Sequence, residues 1–270
     1  MRGIMKRAII FLVLICLVFL FNTQAQAKKD GLDIIWIGHS CFEINYHDYR
    51  ILIDPFTPEW FDYAFPQGQY DIVLASHKAQ DHSYFDGIKA DLFLLASGDK
   101  DEFIHDGPSK KTNIKGKTHQ NIGDRAFSFW TVDSYHDDQK GAKEGVNGIL
   151  CLDFEGIKVV HLGDLGHVLE EVQLRQIGPV DVLMIPVDGY FTIDIDTAKK
   201  IINQLDPKII FPMHYKTEKS RRIKSFPVYT EQDLNNGFKE VKRLHQSQLR
   251  IDTEILDQRQ QIVILDYLER

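Results

Sequence analysis

Several short apolar runs in this chain, rich in β-branched and aromatic residues, stop at a histidine or an aspartate, and that repeated arrangement narrows the possible folds more than any other feature. Asp71–Ala75 leads into Ser76-His77-Lys78-Ala79-Gln80-Asp81-His82, and Phe127–Val132 leads into Ser134-Tyr135-His136-Asp137. Ile157–His161 leads into Leu162-Gly163-Asp164-Leu165-Gly166-His167, and Lys208–Pro212 into Met213-His214-Tyr215. Upstream, Leu32–Ile37 precedes Gly38-His39-Ser40 and Arg50–Ile53 precedes Asp54-Pro55. Runs of this length, bounded by Gly, Asn, Asp and Pro, read as strands. One histidine at the end of one strand is ordinary. Four strand ends closed by histidine or aspartate in one domain point to a shared site, because rigid elements hold a constellation better than loops do.

Cys41–Tyr46, Asp91–Leu95, Ile149–Phe154, Val180–Ile185 and Gln261–Leu265 complete the predicted strands. Asp153-Phe154-Glu155-Gly156-Ile157 reads as a tight hairpin between two of them. Helical spacing appears mainly later. Ala198, Ile201, Ile202 and Leu205 share one face behind Asp194 or Asp196 as a cap. Leu234, Phe238, Val241 and Leu244 form a second stripe, and Val168, Val172 and Ile177 a weaker one. Strand-rich halves that each end in helices predict two packed sheets with helices outside.

Imidazole and carboxylate together suit zinc, manganese or iron. The order of these stretches resembles the metallo-β-lactamase superfamily, and within it the group containing L-ascorbate-6-phosphate lactonase. N-acyl-phosphatidylethanolamine phospholipase D is similar over the same stretches. Gly38-His39-Ser40-Cys41-Phe42, Ile53-Asp54-Pro55-Phe56, His161-Leu162-Gly163-Asp164 and Pro212-Met213-His214-Tyr215 carry the likeness, over nearly all of residues 32–217.

The resemblance implies an α+β fold, a four-layer αββα sandwich with a metal site at one edge. It implies one metal held by His77 and His136, a second held by Asp81, His82 and His214, and Asp164 bridging the two. The family's His-x-His-x-Asp-His fingerprint has Ala79 in place of its second histidine, so the first site is expected to be the weaker. The expected cofactor is therefore one tightly held divalent metal, zinc with manganese as the alternative, and a second held loosely. The implied activity is hydrolysis of an ester, lactone or phosphodiester bond by water activated on the metal, with Asp81 and His82 at the catalytic centre. A catalytically impaired metal-binding pseudoenzyme, or an envelope binding protein, is the alternative that Ala79 raises. His39 either turns in as a replacement ligand or supports a ligand carboxylate from behind, and the second role is the expectation. His161 and His167 read as structural or supporting. A serine or cysteine hydrolase fits poorly, because neither Ser40 nor Cys41 lies in a Gly-x-Ser-x-Gly elbow.

Trp60, Phe61, Tyr63 and Phe65 crowd the loop after Asp54 and either wall an apolar pocket or pack beneath the loop. Lys216, Lys219, Arg221, Arg222 and Lys224 follow His214, and Arg221 and Arg222 are candidates for binding an anionic group, with a solvated loop face as the alternative. Asp137–Gly145 reads as a flap. The expected partner is a small molecule, anionic or lipid-like. Residues 1–27 have signal-peptide layout: Arg2, Lys6 and Arg7, the apolar run Ala8–Phe21, and Ala25-Gln26-Ala27. That run has 14 residues, short of the roughly 20 needed to span a bilayer. The expectation is a periplasmic or secreted domain over residues 28–270, with a retained membrane anchor as the alternative. Without that segment the formal charge moves from −7 to −10, which argues against nucleic acid as a partner. Cys41 and Cys151 then remain, read as buried thiols with a bridge between them as the alternative.

Overall fold

β-Strands dominate the computed structural model, which describes residues 30–97, 110–113, 118–122 and 125–269. The segment 1–27, read from the sequence as a signal peptide, lies outside the described residues. Gly31–Arg270 is one compact unit. Its first sheet has seven strands: β1 (Leu32–Gly38), β2 (Cys41–Tyr46), β3 (Tyr49–Ile53), β4 (Gln69–Ala75), β5 (Lys89–Leu95), β6 (Lys110–Asn113) and, beyond β1, β14 (Gln248–Ile251). The second has eight: β7 (Thr118–Ile122), β8 (Arg125–Tyr135), β9 (Val146–Phe154), β10 (Ile157–His161), β11 (Val182–Pro186), β12 (Ile209–Met213), β13 (Val241–Arg243) and β15 (Gln261–Ile264). The eleven strands expected from the sequence all form, and β2 and β10 keep the predicted limits.

Strand direction explains where the site must lie. In the first sheet β1 is antiparallel to β2 and β2 to β3, whereas β3 is parallel to β4. β1, β3 and β4 therefore run the same way and end on one edge. In the second sheet β8 and β10 are both antiparallel to β9, and β10, β11 and β12 are mutually parallel. Their C-terminal ends share an edge too. Open sheets with parallel strands bind ligands outside the carboxyl ends of those strands.

Strands of β11 and β12 are buried along their whole length, as a sheet covered on both faces requires. Between the sheets, Ile34, Phe42, Ile44, Ile53 and Leu74 of the first join Phe127, Leu152, Phe154, Val160, Leu183 and Phe211 of the second in one core. The Phe154–Ile157 hairpin is as expected. Glu155 and Gly156 have φ of 50° and 96°, two successive left-handed residues matching the twist of a two-residue loop.

The described helices are short: α1 (Glu171–Ile177), α2 (Ile195–Leu205), α3 (Glu231–Gly237) and α4 (Thr253–Leu256). α2 buries Ala198, Ile201, Ile202 and Leu205, and Asp194 caps it by accepting from Thr197 N. The other two stripes differ from expectation. α3 stops at Gly237, Phe238 takes an extended conformation, and Val241 begins edge strand β13. Val168 and Val172 are exposed, so α1 is anchored by Ile177 and Gln173 instead.

No helix lies between β1 and β10 among the described residues. The outer face of the first sheet is covered instead by Phe56, Phe61 and Tyr63, which pack on Ile37, Leu52, Val73 and Phe93. Cys41 and Cys151 are free and buried, which raises both thiol pKa values. No described helix is long and apolar enough to cross a membrane. Replacing the α2 cap, Asp194→Ala, should cost about 1 kcal/mol in urea unfolding. It should leave the strand-end site unaffected, as read by metal titration.

Candidate metal centre

Seven strands on the shared edges each deliver a polar side chain just past their last residue. β1 is followed by His39, β3 by Asp54, β4 by His77, β8 by His136, β10 by Asp164, β11 by Asp188 and β12 by His214. The turn after β4 adds Asp81 and His82; its Ala79 carbonyl accepts from His82 N at 3.1 Å and Ser83 N at 2.8 Å. His39, Asp54 and His214 adopt left-handed φ of 54°, 48° and 63°. Such a conformation costs of order 1–3 kcal/mol outside glycine and persists where surrounding structure overrides it.

Two groups of potential ligand atoms result. His77, His136 and Asp164 form one; His39, Asp81, His82 and His214 form the other, with all ligand atoms in each group within 4.8 Å of one another. Asp164 lies between them. Its Oδ2 is 3.0 Å from His82 Nε2, 3.1 Å from His136 Nε2, 3.3 Å from His214 Nε2 and 3.8 Å from His77 Nε2. All six residues assigned to metal by the resemblance therefore meet, and His39 joins them.

Carboxylates and backbone groups fix these imidazoles from behind. Asp54 Oδ2 lies 2.7 Å from His82 Nδ1, and Asp54 also accepts from Ser76 N and Ser76 Oγ, each at 2.7 Å. Ser76 Oγ is in turn 3.0 Å from His77 Nδ1. Asp188 Oδ2 lies 2.8 Å from His214 Nδ1, while Asp188 Oδ1 accepts from the amides of Tyr190, Phe191 and Thr192. An outer carboxylate of this kind orients a ligating imidazole and raises its basicity. Asn147 Oδ1 accepts from Asp164 N at 3.0 Å, and a Cβ on neighbouring Gly163 would fall 2.2 Å from that oxygen. His161 is structural: its Nε2 donates to Ser40 O and its Nδ1 accepts from Gly163 N. His167 holds the Tyr135 amide.

Asp188 and Asn147 were not singled out in the sequence, and Asp54 was noted there without a role. The signal for Asp188 was present, since Val180–Ile185 also runs into a carboxylate within three residues.

Burial and charge set the proton distribution. Burial, reinforced by His214, lowers His39 to about 4; burial and His82 lower His77 to about 4. Burial opposes the charged form of His214 too, yet Asp164 and Asp188 raise it to about 10. His82 is raised in the same way, against burial, by Asp164 and Asp54. Against its own burial, Asp164 is held well below the usual carboxylate range by His214 and His82.

Asp164 Oδ1 and both nitrogens of His39 are buried with no hydrogen-bond partner among the described residues. An unsatisfied buried polar atom costs about 1–3 kcal/mol. A divalent cation satisfies such atoms, and the imidazole–carboxylate donor set fits one. Asp81 and His136, with side chains 18% and 13% exposed, are the most open of the cluster, so solvent reaches it from their side.

The surrounding features are more committed than expected. Phe61 packs 4.4 Å from the His39 ring and Tyr63 fills the space where a Cβ on Gly38 would sit, so both rings support the site from the core. Arg221 Nη2 donates to Pro58 O and its Nε faces Asp62, while Arg222 lies over Trp60. These arginines fasten their loop to the 57–62 segment. The 137–145 flap expected from the sequence is instead a closed loop. Asp137 accepts from the amides of Gln139, Gly141, Lys143 and Glu144, the last contributing most to a pKa of about 2.

The chain is similar to known proteins over most of its length. The Beta-lactamase superfamily domain matches residues 33–214. A UPF0173 protein of Pyrococcus furiosus is 30% identical over 218 residues, spanning 78% of this chain and 91% of its own length. A UPF0173 metal-dependent hydrolase of Thermoplasma acidophilum is 27% identical over 195 residues, spanning 70% of this chain and 85% of its own. A Thermotoga maritima structure, a candidate zinc-dependent hydrolase of the metallo-β-lactamase superfamily, matches with a TM-score of 0.62 at 29% identity. The match covers 87% of this chain and 98% of that one.

Metal uptake should release protons. His214 is protonated below about 10 in the metal-free protein, so binding at neutral pH displaces its proton and apparent affinity should rise with pH toward that value. Calorimetry in buffers of different ionisation enthalpy reads the release. His39 and His77 act in the opposite direction. Both stay neutral in the fold down to about 4 but protonate near 6.5 when unfolded, so metal-free protein should lose stability as pH falls between those values.

Proposed function

Since this chain belongs to the Beta-lactamase superfamily, among the metal-dependent hydrolases of UPF0173, we propose that its strand-end cluster works as an unequal two-metal centre in an exported hydrolase of esters, lactones or phosphodiesters. The observation that carries this reading is the position of Asp164, with one carboxylate oxygen 3.0–3.8 Å from imidazoles of both ligand groups. Asp81, His82 and His214 would hold the tight metal and His77 and His136 the weak one, with Asp164 shared. A divalent metal bound there lowers the pKa of water toward neutrality and polarises a substrate oxygen. Zinc suits the donor set, and manganese is the second candidate.

The chain's own residues have the remaining tasks. Asp81, on the solvent side of the cluster, accepts a hydrogen bond from the entering water and orients it. His82, fixed by Asp54, keeps its Nε2 aimed at Asp164 and so holds the shared carboxylate in place. His136 marks the opposite side of the entrance. The bond types proposed rest on the narrower resemblance to the L-ascorbate-6-phosphate lactonase group. Elemental analysis of protein purified without chelator, with ester, lactone and phosphodiester screens before and after metal removal, tests the reading. Turnover that survives complete metal removal would refute it. Tight metal without turnover of any of these substrates would favour a binding protein.

Ala79 makes the asymmetry testable. The tight metal should persist in His77→Ala and be lost in Asp81→Ala. Ala79→His should strengthen the weak site by about 10–100-fold, the range associated with losing a supporting residue at such sites. Metal titration of these three variants beside the parent gives the result directly.

Export rests on the layout of Met1–Ala27. Mass spectrometry of the protein from its native cell envelope should find a mature N-terminus at or near Lys28. An intact Met1 would refute it.

A further inference from the structure

Within the centre, His39 has surroundings that packing alone does not explain, and it lacks the short carboxylate contact that His82 and His214 have. Its side chain is fully buried, and neither ring nitrogen has a hydrogen-bond partner among the described residues. Phe61 lies against it at 4.4 Å between ring centroids and His214 at 3.9 Å. Its backbone is equally constrained. Gly38 has φ of 145° with the Tyr63 ring where a Cβ would sit, and His39 itself has φ of 54°. The His39 carbonyl accepts from Trp36 Nε1 at 3.0 Å and from His214 N at 3.4 Å. The chain thus holds an imidazole rigidly in a place where it finds no hydrogen bond.

A supporting role predicts a short contact to a ligand carboxylate. The pairs in which an outer carboxylate supports an imidazole of the centre set the scale, at 2.7 Å for Asp54–His82 and 2.8 Å for Asp188–His214. His39 Nε2 is 3.4 Å from Asp81 Oδ2, which is too long for that role. Its ligand atom does lie within 4.8 Å of those of Asp81, His82 and His214. Donors about 2.1 Å from a common ion are at most about 4.2 Å apart, so the group closes on an ion with movements of less than about 1 Å.

We infer that His39 is a direct ligand of the tight metal, so that the imidazole lost at position 79 from one site is matched by one gained at the other. The inference rests on the two-metal reading above. The tight site would then offer three imidazoles, Asp81 and the shared Asp164 as donors, a set open to zinc, manganese or cobalt. The open coordination positions would then fall mainly to the weak site, where His77, His136 and Asp164 are the donors among the described residues. Ala79 is thereby a feature that leaves room for water and substrate at that metal.

His39→Gly tests the inference, since glycine accepts the left-handed backbone at this position and leaves an imidazole-sized gap. The variant should keep the parent's far-UV circular dichroism. Its affinity for the first equivalent of cobalt, measured against a competing chelator, should fall about 100-fold. Added imidazole should restore it, an effect that a packing role would not produce. X-ray absorption of the parent with one equivalent of cobalt should show three imidazoles. Affinity within about twofold of the parent's, a loss that imidazole does not reverse, or two imidazoles in the parent would each overturn the inference while leaving the two-metal reading intact. A parent that binds neither cobalt, manganese nor zinc would overturn both.

Discussion

The site is organised around one buried carboxylate. Asp164 Oδ2 faces four imidazole nitrogens contributed by three different strand ends, and a charge in that position is tolerable only because those nitrogens surround it. Its placement depends on Asn147, whose side-chain oxygen takes the Asp164 amide while its nitrogen donates to Ser134 Oγ and Leu162 O. One amide side chain on β9 thus ties the end of β8, which carries His136, to the end of β10, which carries Asp164. Loss of that link would displace both donors together.

Backbone strain has a clear distribution here. Three of the residues that follow strands, His39, Asp54 and His214, are left-handed, and each must turn the chain sharply while aiming its side chain across the sheet edge. Histidine and aspartate accept that conformation better than β-branched or bulky residues do. The same residue types that provide the chemistry are therefore also the ones the turn geometry tolerates.

Much of this was legible in the sequence, for physical reasons that also mark its limits. Several strands of Val, Ile and Phe that each end in histidine or aspartate have few joint interpretations, so the converging segments and the Glu155-Gly156 hairpin could be read directly. Apolar spacing does not show where a helix ends: of the stripe Leu234, Phe238, Val241 and Leu244, only Leu234 lies in α3, and Val241 begins an edge strand. Edge strands such as β13 and β14 need only one buried face and carry Arg243 and Gln248, so their pattern is weak. The aromatic loop was ambiguous because a ring that lines a pocket and a ring that covers a sheet look alike in sequence. Phe61 does the second and thereby supports His39. The role of Asp137 was hidden because a carboxylate that binds four amides of its own loop has no spacing that distinguishes it from a solvated one.

The candidate ligands are drawn from segments as far apart in the chain as His39 and His214, and from both sheets. The whole centre exists only once the two sheets have packed. An ion that binds only the finished structure stabilises it by mass action and acts almost wholly on the rate of opening. The centre is in this respect a removable cross-link between the sheets, and the lifetime of the folded protein becomes a function of free metal concentration in its surroundings.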